Sequence, residues 1–291
     1  MKNLKLVAPA PERYWPASDC DSYLDAFRPR DHVSAALVSR AAKKIVPPLL
    51  RALAEQNITA HVTHDLSLVA NIQRSSDGRM RLVKANDPAF HPNASPANAN
   101  VLVLMRDGIP VGCVASRLIW CERTLGEEME SGRFWVAHPQ TMWSQSDRCI
   151  NTSYMAKAIK ACPVVYIGSI FLAPKVTGGN TLAAMLRLHY LWLVTHWQWS
   201  WAVGLIEGAL IRRHAFDVYG VMSLEIGVWR TRGAGDGLHR YQMTLMEREA
   251  SIEAWLRPEM GDLSRAMGRP PRSVLPDEDS STNVATLGDR P

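Results

Sequence analysis

The chain has 291 residues, 47 % of them apolar and 21 % charged, which is material for one large core or for a core with an extension. Its formal charge of +5 is mild and no Lys/Arg run reads as a nucleic-acid arm, since the densest stretch, Arg40 to Lys44, falls in a helical pattern as a solvated face. Five cysteines without a Cys-x-x-Cys pair argue against a disulfide framework and a zinc knuckle, and free thiols fit a reducing cytoplasm.

In the first segment, the apolar patch at Leu4, Leu6 and Val7 is broken by Pro9 and Pro11 and is too short for a signal-peptide core. Residues 1–60 read as a helical segment packing on the core domain. Asp31 is placed to cap a helix whose apolar positions Val33, Leu37, Val38 and Ala41 recur at helical spacing. Pro47 and Pro48 are expected to end or kink that helix, with a second short one over Leu49–Glu55. Leu66 to Ile72 fits a strand or a short helix, Ser75 to Gly78 a turn, Met80 to Val83 a returning strand, and Asn86 to Asn100 a loop.

The pattern sharpens at Val101. Val101–Met105 and Val111–Trp120 are apolar strands joined through Asp107-Gly108, a strong hairpin signal because glycine supplies the positive φ that the turn needs. Residues 122–163 form an irregular, partly helical insertion. Val164–Leu172 is a continuous apolar run, as in a strand covered on both faces. A loop over Lys175–Gly179 leads into a helix from Thr181 to Thr195, on which Leu182, Met185, Leu186, Tyr190 and Leu193 recur at three- and four-residue steps. Trp199–Ile206 is the next strand and Ala209–Tyr219 a helix closed by Gly220. Met222–Arg230 and Tyr241–Glu247 are two final strands joined by the turn Gly233–Gly237. Residues 257–291 have the proline and charge content of a solvated tail. The core domain thus spans residues 61–256.

Leu182 to Ile206 is long enough to span a bilayer, but Arg187, His189, His196 and Gln198 interrupt it, so no membrane span is expected. His61-x-x-His64-Asp65 has metal-ligand spacing on a helical turn, yet no partner cluster accompanies it and no metal is assigned. His189 and His196 share a face of the apolar helix as core histidines. Trp197, Trp199 and Trp201 alternate, which places them on one strand face suited to an acyl pocket.

The chemistry concentrates where the Val164–Leu172 strand runs through a glycine-containing loop into a helix. Gly178-Gly179-Asn180-Thr181 lets the backbone approach a ligand, and the amides and dipole of a helix start favour a phosphate or pyrophosphate. Hairpin, strand, phosphate-suited loop, helix, strand, glycine-closed helix and two last strands together resemble the GNAT acyltransferase superfamily, over Val101 to Arg248, about half the chain. The resemblance implies an α/β (α+β) fold with a mixed, mostly antiparallel central sheet flanked by helices. It also implies an acyl-CoA co-substrate, acetyl-CoA in the simplest case, and an amine-bearing small molecule or protein as acceptor. Ile170, Phe171 and Leu172 would line the pantetheine arm. Lys175, Val176, Thr177, Gly178, Gly179, Asn180 and Thr181 would cradle the pyrophosphate, and the thioester would lie where two central strands splay apart.

The chain departs from the family pattern in two places. The family loop Arg/Gln-x-x-Gly-x-Gly/Ala reads Thr177-Gly178-Gly179-Asn180-Thr181-Leu182 here, which weakens pyrophosphate binding or suits another carrier. The family's general-acid tyrosine, four residues before the closing glycine, is Phe216, which has no proton to give; Tyr219 is the substitute candidate. Glu207 and Glu122 are the candidate general bases. Three alternatives stay open: a long acyl chain delivered by acyl carrier protein, as in N-acyl amino acid or homoserine lactone synthases; a non-catalytic binding protein on the same fold; and, resting on charge alone, a nucleic-acid module. A homodimer is compatible with all of them.

Overall fold

The computed structural model describes residues 21–22, 35–76, 82–144, 147–151, 153–176, 179–207, 223–231, 238–249 and 252. Among them lie nine strands: β1 (Asp21–Ser22), β2 (Thr59–Thr63), β3 (Ala99–Arg106), β4 (Ile109–Trp120), β5 (Cys149–Asn151), β6 (Pro163–Leu172), β7 (Trp201–Glu207), β8 (Ser223–Thr231) and β9 (Leu238–Glu247). The helices are α1 (Ala35–Ala54), α2 (Leu66–Ser75), α3 (Leu125–Glu130), α4 (Pro139–Met142), α5 (Tyr154–Ala158) and α6 (Gly179–His196). The strands form one sheet in the order β1-β2-β3-β4-β6-β7-β9-β8-β5. Every neighbouring pair is antiparallel except β6 and β7, which run parallel. This is the mixed, mostly antiparallel sheet expected from the sequence.

The β3–β4 hairpin closes through Asp107 and Gly108, at φ 52° and 73°, with Arg106 opposite Ile109. Two successive positive φ values define the turn whose twist matches the strands it joins. Helices α1 and α6 cover one face. Ile45, Val46, Leu49 and Leu53 of α1 meet Met185, Leu188 and Leu191 of α6 over Leu102, Leu104, Val114 and Val165 of the sheet. On the opposite face α2 covers Val101, Val103 and Ala115. Beside it the 122–163 insertion presses Leu125, Met129, Phe134 and Trp135 onto Tyr166, Val203, Met243 and Leu245. The insertion is thus part of the core, and its strand β5 extends the sheet beyond β8.

Several expectations are corrected. Helix α1 runs unbroken through Pro47 and Pro48. Two prolines withhold only two amide donors, and the carbonyls they orphan, on Lys43 and Lys44, belong to exposed residues that water can serve. The packing of Leu49 and Leu53, both buried, outweighs that loss. Leu66–Ile72 is helical because the Asp65 carboxylate accepts from the backbone N–H and hydroxyl of Ser67, a good N-cap. Leu82 and Val83 belong to no strand; they lead into a 3-10 turn at Lys84–Asn86. Trp197 and Trp199 precede β7 and pack on the α6 side, whereas Trp201 packs on the opposite face, so the three form no common wall. The reason is that α6 continues to His196, and the chain must cross over before pairing resumes, with Ser200 N–H donating to the Pro163 carbonyl.

Asp31, the helix over 209–219, the turn at 233–237 and the tail lie outside the described residues. No described helix is long and apolar enough to cross a membrane, since the apolar stretch at 182–206 divides into α6 and β7.

Candidate active site

Strands β6 and β7 pair at Val164↔Trp201, Val165↔Ala202 and Tyr166↔Val203, and there the ladder stops. Strand β6 continues to Leu172 and β7 to Glu207, so a cleft opens between them. A Cβ on Gly204, just past the last pair, would lie 3.3 Å from the Ile167 carbonyl, so the strands are still close where the cleft begins.

The other edge of β6 is irregular at the same height. Gly168 faces Ala115 and Phe171 faces Cys113, so three steps on β6 match two on β4. Ser169 takes up the extra residue with φ 51°. A bulge of this kind bends the strand and reverses its alternation. Before it, Val165 and Ile167 face α6; after it, Ile170 and Leu172 do, while Phe171 packs on the α2 side. The Cys113 thiol donates to the Ser169 carbonyl at 3.6 Å, and the Asn86 amide donates to the Ala115 carbonyl and the Ser169 hydroxyl, each at 3.3 Å. Ser169 is therefore a bonded hydroxyl at a bulge and not one in a regular strand.

Of the residues expected to bind cofactor, Ile170, Phe171 and Leu172 lie on β6 beside the open cleft. Lys175 and Val176 form a 3-10 turn, with Val176 buried in the core as packing. Gly179, Asn180 and Thr181 form the first turn of the 18-residue helix α6, so its unpaired amides come directly after the cleft. The Thr181 hydroxyl is already committed, donating to Gln56 Oε1 at 3.0 Å. Thr177, Gly178 and Tyr219 lie outside the described residues.

Glu207 ends β7 at the open side of the cleft, opposite Tyr241 of β9. Glu122 does not join it. Trp120 pairs with Pro163 at the closed end of β6, five residues or ~17 Å from Gly168, and Glu122 lies beyond that. There it contributes its backbone N–H to Glu128, which also accepts from Arg123 N–H and from the Arg133 guanidinium through two bonds at 2.9 Å.

At the apex of the cleft stand buried polar residues that the sequence reading did not single out. Arg117, opposite Tyr166, is 8 % exposed, and its Nε and Nη1 have no acceptor among the described residues. Burial lowers its pKa to about 10, so it stays charged at neutral pH. His91 donates from Nε2 to the Trp135 carbonyl at 2.9 Å. Its pKa falls to about 4, through burial first and the Arg117 charge second. Asn86, fully buried, has no donor to its Oδ1 among the described residues. The available signal was Arg117 itself, the one charge within the apolar strand Val111–Trp120.

His61 and His64, to which no metal was assigned, and His189, read as a core histidine, each have a hydrogen-bond partner. His61 Nε2 bonds the Thr59 hydroxyl at 2.7 Å, and His64 Nδ1 bonds the Ala99 carbonyl at 2.9 Å. His189, fully buried in α6, bonds the Ser116 hydroxyl at 2.6 Å, and its pKa falls to about 3 because burial disfavours the cation. Both His91 and His189 are thus neutral in the fold but take protons near pH 6.5 once unfolded. The unfolded state then binds more protons below that pH, so stability is full above about pH 6.5 and declines as pH falls toward about 4 and about 3. Denaturant titrations at pH 6 and pH 5 are expected to differ by about 2 kcal/mol, near the limit of 1.36 kcal/mol per pH unit for each histidine. Equal stability at both would contradict neutral burial.

No family model and no curated protein matches the chain. Among solved structures it is similar to FeeM, an N-acyl amino acid synthase from uncultured soil microbes, at 7 % identity and TM-score 0.38, over 66 % of this chain and 91 % of that one. It is also similar to the aminoglycoside acetyltransferase AAC(6')-Ib in complex with coenzyme A and kanamycin, at 13 % identity and TM-score 0.34, over 67 % and 97 %. A third is an uncharacterized protein (bh2621) from Bacillus halodurans, at 9 % identity and TM-score 0.37, over 68 % and 89 %. Likenesses of this size carry no argument about activity, which is left to the chemistry of the site.

Proposed function

We propose that this chain is a GNAT-type acyltransferase that moves an acyl group, acetyl in the simplest case, from coenzyme A to an amine by direct transfer. The observation that carries this reading is the parallel β6–β7 pair that separates after Tyr166↔Val203, beside a bulge and just ahead of the α6 N-terminus. Strand edges that stop pairing offer amides and carbonyls to an extended amide-bearing arm such as pantetheine. Amides in the same place stabilise the oxyanion formed when the amine attacks the thioester carbonyl. The new N–C bond forms as the C–S bond breaks. The amine proton passes to Glu207, directly or through water, and the leaving thiolate takes a proton from Tyr219. The amides of Gly179, Asn180 and Thr181 would hold the pyrophosphate.

One observation favours a second donor. The Thr181 hydroxyl is spent on Gln56, and the loop lacks the family's leading Arg/Gln and later small residues, so the pyrophosphate cradle is thin. A long-chain acyl group carried by acyl carrier protein needs no such cradle.

The test is thermal unfolding of the purified chain with coenzyme A, acetyl-coenzyme A, a long-chain acyl-coenzyme A and acylated carrier protein. A ligand at 100 times its Kd stabilises by about 2.7 kcal/mol, roughly a 4 °C rise for a chain of this size. The rise is expected to disappear when Gly178 and Gly179 are replaced by leucine. A shift with carrier protein alone would move the donor assignment. No shift with any of the four, and no transfer, would leave a non-catalytic binding protein.

A further inference from the structure

Arg117 is a buried cation without an anion among the described residues. Removing a guanidinium from water costs several kcal/mol unless a partner returns the loss, and here Nε and Nη1 have none. The described ion pairs join Lys84 with Asp147, Arg133 with Glu128 and Arg248 with Glu249, so none reaches Arg117. His91, whose ring feels the Arg117 charge, has its Nε2 proton committed to the Trp135 carbonyl and offers no anion. A guanidinium presents a planar fork that matches a carboxylate through two parallel bonds.

Asn86 supplies the complementary half. The Ala115 carbonyl only accepts, so the Asn86 amide nitrogen must face it, which leaves Oδ1 as a buried acceptor with nothing among the described residues to accept from. The same amide nitrogen bonds Ser169 Oγ at the bulge, which ties Asn86 to the bend of β6. Ala115 and Arg117 point to the same face of β4, one strand repeat apart, ~7 Å. A free cationic fork and a free acceptor therefore stand on one face, at the closed end of the cleft.

We propose that Arg117 and Asn86 form the acceptor subsite, and that the acceptor is an amine bearing a carboxylate a few atoms away, an amino acid. Arg117 holds the carboxylate, and Asn86 Oδ1 accepts from the amine N–H and aims it at the bulge where the thioester would lie. This rests on the acyltransferase reading for the placement of the thioester, but not for the binding of the acceptor itself.

Binding is measured directly, without acyl donor, by titrating the full-length chain with each of the twenty standard amino acids and with their carboxamides. At least one acid is expected to bind about 10- to 100-fold more tightly than its carboxamide. Arg117→Met keeps the length and removes the charge. It is expected to melt at or above the wild-type temperature and to bind acid and carboxamide alike, and Arg117→Lys is expected to restore part of the preference. In a transfer assay, Arg117→Met raises KM for the acid acceptor and leaves KM for the decarboxylated amine unchanged. Equal binding of acid and carboxamide by the wild type, or no binding by any acid, overturns the subsite. So does a lowered melting point in Arg117→Met with the full acid preference retained in both variants, which makes Arg117 a packing residue. Arg117-dependent acid binding without any acyl transfer would sink the activity and keep the subsite. Transfer to acid and carboxamide alike would do the reverse.

Discussion

Trp135→Ala is expected to destabilise the fold by about 3–5 kcal/mol, the range for truncating a large buried aromatic, read as a lowered denaturation midpoint. Trp135 is among the largest fully buried side chains and sits in the insertion, not in the sheet. Its ring meets Phe134 at 4.9 Å and Tyr166 at 5.8 Å, both edge to face, and the Arg230 guanidinium lies 4.2 Å from its centroid. Its indole N–H donates to the Met129 carbonyl at 2.9 Å. Truncation leaves a cavity, an orphaned carbonyl and a cation that has lost its aromatic face. A loss below about 1 kcal/mol would mean that the insertion is a surface appendage, contrary to its place in the core.

Gly168→Ala is expected to cost about 1–3 kcal/mol, as overpacking does, and Gly168→Val more. A Cβ at Gly168 would lie 2.8 Å from both Cε1 and Oη of Tyr166. That ring is fixed against Phe134 at 5.6 Å and Trp135 at 5.8 Å, and it belongs to the last residue of β6 that pairs with β7. The ring therefore has nowhere to go except by spreading the strands at the apex of the cleft. The decisive measurement is a double-mutant cycle. Tyr166→Ala is destabilising by itself, but in that background Gly168→Ala is expected to cost almost nothing. An unchanged cost would place the clash elsewhere. A glycine at this position is required by close approach and not by its backbone angles.

Much of the architecture was legible in the chain. Alternating and continuous apolar runs located β3, β4, β6 and β7 to within two residues, and Asp107-Gly108 identified the hairpin, because these signals are local. The resemblance in element order drew attention to Ile170, Phe171 and Leu172, which lie on β6 beyond its last pair with β7. The local signals that misled were proline in α1 and tryptophan alternation before β7. In both cases burial against α6 decided the outcome, and no window of neighbouring residues contains that term.

What the sequence by itself determined is the run of β3, β4, β6, α6, β7, β8 and β9 and their order, since turn chemistry and side-chain period depend on near neighbours. Only the tertiary structure decided which residues meet. Asn86 reaches Ser169 across 83 positions, Arg117 stands beside Tyr166 at the apex of the cleft, and Glu122 is carried to the far end of β6 from Glu207. Those meetings come from strand register and a bulge, which set the pairing between distant segments, so the surroundings of Arg117 and Asn86 could be read only once the sheet was assembled.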